Sequence, residues 1–557
     1  MGKTGNHESP PRNEVPGDYC GNVGDNVHMC KRLPLILAVI LIALPVKAGA
    51  QANLWQPYDP GEPESLVDLY VSPQGNDANP GTSQAKPLRT LGAAWERADL
   101  AKAGYRINLL PGTYPFDEAR SAYYADRLGT PEHPLSIRAA SGAGTAILEG
   151  GMNVNHCRYL SLIGLSLRAG GGVPAWGNNV LHLEDCEYVL LRDLTISGPD
   201  PARYPDSYEI QETLKANQCQ YLYIEGCDIS GAYQTAVDYF SVQYGHVLAT
   251  AIHGAGEWCM YVKGGSAYLA VGGCRFYAAR LGFQAGEGSN LEVMRLPWVH
   301  YECYDVKFCN NVLHDLAGCG VSAAGAYNLL IAYNTLYKVG ISKDPDLNYP
   351  MLQFVHGQRA CVDTSENGEG NAEQICRDLL AKGAWGTATL TTEGIDCIPN
   401  RNVYVYNNLL YNPAPFQTVA THLYVQGAIA SLPGMQNIPL PSRCDDNLRI
   451  AGNFFWNGPR DQDMGIEDST TLTEAGLRAA NTVNKYEPQL ADPAAGDFRP
   501  KAGGNLTKAE TALIPDFTWD DAPKKPAVPP GVLSNAVPWD AGGNPRPDGA
   551  PPGAYGS

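Results

Sequence analysis

The chain has 557 residues, 15 cysteines, 60 glycines, 42 prolines and a formal net charge of −18, with only 18% of residues charged. So acidic a balance argues against a nucleic-acid partner, which demands a basic face. The length suggests several domains until repeats are considered, because a repeat fold grows without adding any.

Residues 1–28 are polar, rich in Gly, Pro and Asn, and without periodicity; they read as an unstructured extension ahead of the true start. At Met29 begins MCKRLPLILAVILIALPVKAGAQA, with basic Lys31 and Arg32, an apolar stretch over 33–45, and the small-x-small run Ala48-Gly49-Ala50. The apolar stretch is short for a bilayer span. It predicts a signal peptide over 29–50 and a mature chain from near Gln51. The alternative is a short N-terminal membrane anchor. Export would make the protein secreted, periplasmic or cell-surface, with no stable membrane span after cleavage, in a compartment that permits disulfides.

Next comes DLYVSPQGNDANPGTSQAKPLRTLGAAWERADLAKAGYRINLLPGTY, which reads strand, loop, amphipathic helix, strand. The helix is expected from about Leu88 to Ala103, with Leu88, Leu91, Ala94, Trp95 and Ala98 on one apolar face. Residues 68–115 would thus cap the open end of a solenoid, as terminal repeats must.

The solenoid itself shows as self-similarity. HCRYLSLIGLSL (156–167), DCEYVLLRDLTI (185–196) and QCQYLYIEGCDI (218–229) align, and six further segments continue the pattern to DNLRIAGNFF. Short alternating strands at this period are not a helical repeat. Cys157, Cys186, Cys219 and Cys303 share one position; Cys227, Cys274, Asn311, Asn334, Asn408 and Asn453 share another. Buried amides need partners, and an asparagine at one turn of every coil bonds to the next. The expected fold is all-β, a right-handed parallel β-helix over 51–515. Insertions are expected at 286–302 and 341–399, with a Pro/Gly-rich extended segment over 516–557. The stacked cysteines read as buried thiols rather than metal ligands.

An earlier strand in each coil pairs an apolar residue with a polar one: Leu181-His182, Leu214-Lys215, Val237-Asp238, Val262-Lys263, Phe283-Gln284, Val321-Ser322. Side chains alternate across a strand, so the polar members face out. This alignment sets Lys263 between Asp238 and Gln284, with Lys215 one coil beyond Asp238. The surroundings are dense in Glu257, Tyr261, Trp298, His300 and Tyr301.

The YVSPQGNDANPGT opening followed by PLRTL, together with the coils over roughly 68–500, resembles the pectate-lyase-like superfamily of secreted β-helix proteins. That resemblance implies an acidic-polysaccharide partner and a groove on the outer sheet face. It is weaker for activity, since the superfamily also holds hydrolases, epimerases and inert structural proteins. In chondroitinase-B-like and alginate lyases of the superfamily a lysine is the base, an arginine assists, and acidic residues just upstream hold calcium. Carried over, Lys263 is the base and Asp238 and Glu257 hold a calcium ion. No arginine occupies the assisting position one coil later, where Gln284 stands; Arg280 and Arg359 are the candidates. Lys215, Tyr261, Gln284, Trp298, His300, Tyr301 and His356 would bind substrate, the aromatics through their apolar faces. A carboxylate beside a lysine favours its charged form, so a base role for Lys263 calls for a cation on Asp238. Glycosidases need paired carboxylates, and Asp445-Asp446 and Asp520-Asp521 lie at a turn and in the tail, so a lyase is favoured over a glycoside hydrolase. The expected function is binding and β-eliminative cleavage of a uronate-containing polysaccharide by a monomer. The alternative is a non-catalytic carbohydrate-binding or cell-surface β-helix. Cys361, Cys376 and Cys397, with Cys444 nearby, are candidates for disulfides that pin the larger insertion as a groove wall.

Overall fold

The computed structural model describes residues 55–556 apart from 62, 64, 117–122, 170–178, 200–210, 345–348, 363–370, 391–395, 418–419, 433–436 and 520–527. The extension over 1–28 and the signal-peptide segment 29–50 lie outside the described residues.

Three long sheets run along the molecule, of 12, 10 and 12 strands. Each strand pairs in parallel with its counterpart in the coil before and the coil after, as in 187–192 between 158–163 and 220–225. Parallel crossovers take the right-handed sense, and the chain is a right-handed parallel β-helix. The first sheet begins with 66–71 and ends with 449–451. The second, which carries the candidate site, runs from 123–125 to 423–425. The third runs from 112–114 to 482–483. The capping region therefore contributes coil strands of its own.

Alternation builds the interior. In 181–184 and 214–217 the inward residues Leu181, Leu183, Leu214 and Ala216 are fully buried. The capping helix is shorter than its apolar pattern, Leu91–Arg97. Leu88 is drawn into the first sheet instead, its N–H donating to Tyr70 O at 2.8 Å while its carbonyl accepts from Ser72 N at 2.8 Å. Thr90 then caps the helix by accepting from Ala93 N at 3.1 Å. The five residues expected on its apolar face are all buried.

Polar ladders hold the coils in register. Asn311, Asn334, Asn408 and Asn453 each donate Nδ2 to the next asparagine's Oδ1, at 3.1, 3.0, 2.8 and 2.9 Å, the last acceptor being Asn481. Cys157, Cys186 and Cys219 are free and buried. A third stack is tyrosine: Tyr159, Tyr188, Tyr221, Tyr244 and Tyr268 follow one another with centroids 4.4–4.8 Å apart. All five sit at φ between 52° and 64°, a left-handed conformation unfavourable to a bulky residue, and ring stacking from coil to coil offsets that cost.

The C-terminal segment lies along the first sheet. Asp305 and Lys307, both 1% exposed, are covered by it. Asp305 Oδ2 accepts from Val532 N at 2.6 Å, and Lys307 Nζ donates to Asn535 Oδ1 at 2.9 Å.

The larger insertion is shorter than expected. Residues 352–355 form a strand of the second sheet, paired with 321–324 and 423–425, so the excursion proper begins at His356. Cys361 and Cys376 form a disulfide across it. Cys397 and Cys444 are both buried, and Cys444 Sγ lies 3.2 Å from His356 Nδ1.

Candidate functional site on the second sheet

The outward row of the second sheet reads His182, Lys215, Asp238, Tyr261, Gln284, Ser322 and Gln353 in successive coils. This corrects the alignment made from sequence. Tyr261, not Lys263, stands between Asp238 and Gln284, and Lys263 is paired with Phe240 at the strand's end. A shift of two residues leaves every side chain on its own face, so alternation alone cannot detect it. The turn decides. From Lys263 to Ala267 the chain takes one residue more than from Phe240 to Gln243, their partners in the preceding coil. Gly264 and Gly265, at φ 66° and 81°, absorb the extra residue. A Cβ on Gly265 would come within 2.1 Å of Trp298 O, so the first insertion rests directly on this turn.

Lys263 nevertheless reaches the row. Its Nζ lies 3.5 Å from Asp238 Oδ1 and 4.4 Å above the Tyr261 ring. Lys215 Nζ lies 3.8 Å from Asp238 Oδ2 and 3.3 Å from Glu212 Oε1. Asp238 is thus a buried carboxylate, 2% exposed, between two ammonium groups that are 17% and 20% exposed. Gln284, 3% exposed, has an Oε1 with no hydrogen-bond partner.

Two acids that sequence reading left without a role join this cluster, Glu212 and Glu287. Burial pushes Glu212 upward, against the pull of Lys215. Burial pushes Glu287 up to about 7, opposed by Lys263 and by a hydrogen bond from Tyr261. Glu257 is also raised by burial, with Arg280 and Lys263 opposing. Burial raises the Tyr261 hydroxyl well above its ordinary value. His182 is lowered to about 3, by burial and then by Lys215. The one sequence signal for Glu287 was its place between two glycines, in Gly-Glu-Gly.

Apolar groups flank the cluster on both sides. Toward the strand starts Trp258, Leu281 and Cys319 pack together with Tyr349 and with Tyr261 of the row. At the strand ends Phe240 packs under a wall made by both insertions, with Leu291, Met294 and Val299 from the first and Leu379 from helix Ala372–Ala381 of the second. The Cys361–Cys376 disulfide lies within this wall. Two pockets, of about 260 and 210 Å³, lie elsewhere, around Pro399 and Arg401 and around His156 and Arg158. Neither includes a residue of the outward row.

Several expected site residues are not on the face. Arg359 is fully buried and paired with Glu302, its Nε 3.0 Å from Glu302 Oε1 and its Nη1 donating to Trp385 O at 2.9 Å. Trp298, His300 and Tyr301 are 7%, 5% and 0% exposed. They pack inside the wall instead of offering faces to a sugar: Trp298 Nε1 donates to Tyr268 OH at 3.2 Å, and His300 and Tyr301 contact Trp385. His356 is buried, 3.0 Å from Gln426 Oε1 and 3.2 Å from Cys444 Sγ, and burial lowers its basicity. Arg280 stays at the rim, 4.0 Å from Glu257 Oε1.

The residues expected to hold calcium do not fit it. Calcium takes six to eight oxygens. Both Asp238 oxygens face lysines and Glu257 faces Arg280. Among the described residues, the one group of ligand-type side chains close enough to share an ion is Glu292, Cys361 and Cys376, whose cysteines are disulfide-bonded.

No family model matches the chain, and no curated protein matches it. Solved structures do. The pectate lyase Pel9A is 12% identical with a TM-score of 0.38, over 82% of this chain and 94% of that one. XylC, solved with xylose, is 10% identical with a TM-score of 0.39, over 88% and 98%. The A-module of the Azotobacter vinelandii mannuronan C-5 epimerase AlgE6 is 12% identical with a TM-score of 0.34, over 71% and 91%. The chain's own sheet order gives the fold, a right-handed parallel β-helix.

Proposed function

We propose that the outward face of the second sheet binds a uronate-containing polysaccharide and cleaves it by β-elimination, with Lys263 at the reacting centre. The observation that carries this reading is the pair of lysines held about buried Asp238 on the outward row, with Glu287 acting on Lys263. Elimination removes the proton next to the uronate carboxylate and expels the sugar oxygen across the new double bond. It requires positive charge against the carboxylate and a proton-transfer pair at the scissile bond. Lys215 and Lys263 supply the charge. Arg280, at the rim beside Glu257, supplies a further cation along the chain of sugars. Export, read from residues 29–50, would bring the protein to such polymers; among the described residues no helix is long and apolar enough to cross a membrane.

The test is incubation of residues 51–557 with a panel of uronate polymers, followed by ultraviolet absorbance of unsaturated ends. Wild type is expected to give a rising trace, and Lys263→Ala to lose about 100-fold or more. Because the acidic donors already face cations, chelator is expected to leave the rate unchanged. A flat wild-type trace on every polymer overturns the lyase reading. A second reading, binding without cleavage, is favoured by those same ion pairs at Asp238 and Glu257. It predicts retardation of the protein in polymer-containing gels with no absorbance change.

A further inference from the structure

Resting on the β-elimination reading, we infer that Glu287 is the base that takes the uronate C5 proton and that Lys263 is the acid that protonates the departing oxygen. This reverses the role expected for the lysine from sequence.

Three observations carry the assignment. The first is backbone geometry. Glu287 stands at φ 145°, a conformation costly for a residue with a Cβ and held only where the surroundings impose it. The neighbouring strand imposes it here: Gln358 N donates to Glu287 O at 3.1 Å. Gly286, just before, is packed so closely that a Cβ there would lie 1.8 Å from Ala324 O. Residues held in strain in this way are concentrated at reacting centres. The second is the state of its carboxylate. Oε2 is a buried acceptor with no hydrogen-bond partner, while Tyr261 hydrogen-bonds the group. An acceptor without a partner, shielded from water, keeps a lone pair for a proton. The third is the company of Lys263. An ammonium paired with Asp238 has a proton to give and no lone pair with which to take one.

The charged and titratable groups acting on Glu287 are Lys263, Tyr261, Glu257 and Asp238. Burial and the two acids raise its affinity for a proton, while Lys263 and Tyr261 oppose them. A carboxylate tuned to about 7 is a stronger base than an ordinary one and is still half ionised at neutral pH.

The step balances within the site. The C5–H bond breaks and its proton passes to Glu287. The electron pair forms the C4–C5 double bond. The C4–O bond breaks, and the leaving oxygen takes a proton from Lys263. The protein ends with a protonated Glu287 and a neutral Lys263 amine, and transfer of one proton between them restores the starting state.

The test is the pH dependence of kcat/KM on the best polymer of the panel. Wild type is expected to rise with pH to a plateau above about 7. Glu287→Gln is expected to lose about 100-fold or more while still binding polymer in the gel, which shows that it is folded. Tyr261→Phe removes a hydrogen bond that favours the carboxylate, so its rising limb is expected to move to higher pH. Glu287→Gln with more than a tenth of wild-type activity overturns the assignment and leaves the lyase reading standing. So does a limb that Tyr261→Phe leaves in place. Wild type inactive on every polymer overturns both.

Discussion

Arg359→Leu is expected to lower the unfolding free energy by about 3–5 kcal/mol, the usual cost of leaving one member of a buried ion pair without the other. Arg359 and Glu302 are both fully buried. Glu302 also accepts from Ser289 Oγ and, at 3.2 Å, from Gly264 N. Arg359 further satisfies the Val299 and Trp385 carbonyls, at 3.1 and 2.9 Å. One pair therefore ties together both insertions and the glycine turn that follows Lys263. The variant is expected to lose groove chemistry along with stability, although it touches no substrate. Guanidinium unfolding measures the first effect. A double variant, Glu302→Leu with Arg359→Leu, is the control: removing both charges should recover part of the loss. A loss below about 1 kcal/mol for the single variant would contradict a fully desolvated pair.

Asn334→Leu is the second large effect, expected to cost about 2–6 kcal/mol, from two buried groups left unsatisfied at about 1–3 kcal/mol each. Asn334 Nδ2 donates to Phe308 O at 2.9 Å, and its Oδ1 accepts from Asn311 N at 2.9 Å. Leucine is close in volume but offers neither atom, so the Phe308 carbonyl and the Asn311 N–H are stranded in the interior. In a solenoid each coil contacts only its neighbours, so the damage should be local. Amide exchange is expected to speed up in strands 303–309 and 326–332 before the strands near the N-terminal cap. Uniform acceleration along the whole chain would contradict this nearest-neighbour picture.

Much of the fold was legible because its causes are local. An asparagine in every coil at one turn can be satisfied only by the next asparagine, so the ladder from Asn311 to Asn453 follows from spacing, and the structure extends it to Asn481. The repeated tyrosine of RYL, EYV, QYL, QYG and AYL was equally visible, but its stacked role went unread because a left-handed tyrosine is unusual. The aromatics of the first insertion misled for another reason. Trp298, His300 and Tyr301 look exposed on a loop, yet Trp385, far along the chain, lands on His300 and Tyr301 and buries them.

At the site the division is the same. The sequence by itself determined that Lys215, Asp238, Tyr261, Lys263 and Gln284 point outward, because alternation is a property of each strand alone. It also determined the coil repeat and the polar ladders. Only the tertiary structure decided which of those side chains share a rung, because a two-residue shift preserves alternation and depends on how much chain the Gly264-Gly265 turn absorbs. Only the tertiary structure took Arg359 out of the groove, since its partner Glu302 is 57 residues away. And only there do Lys263 and Tyr261 act on Glu287, one acid between two glycines in the sequence, with its carboxylate buried.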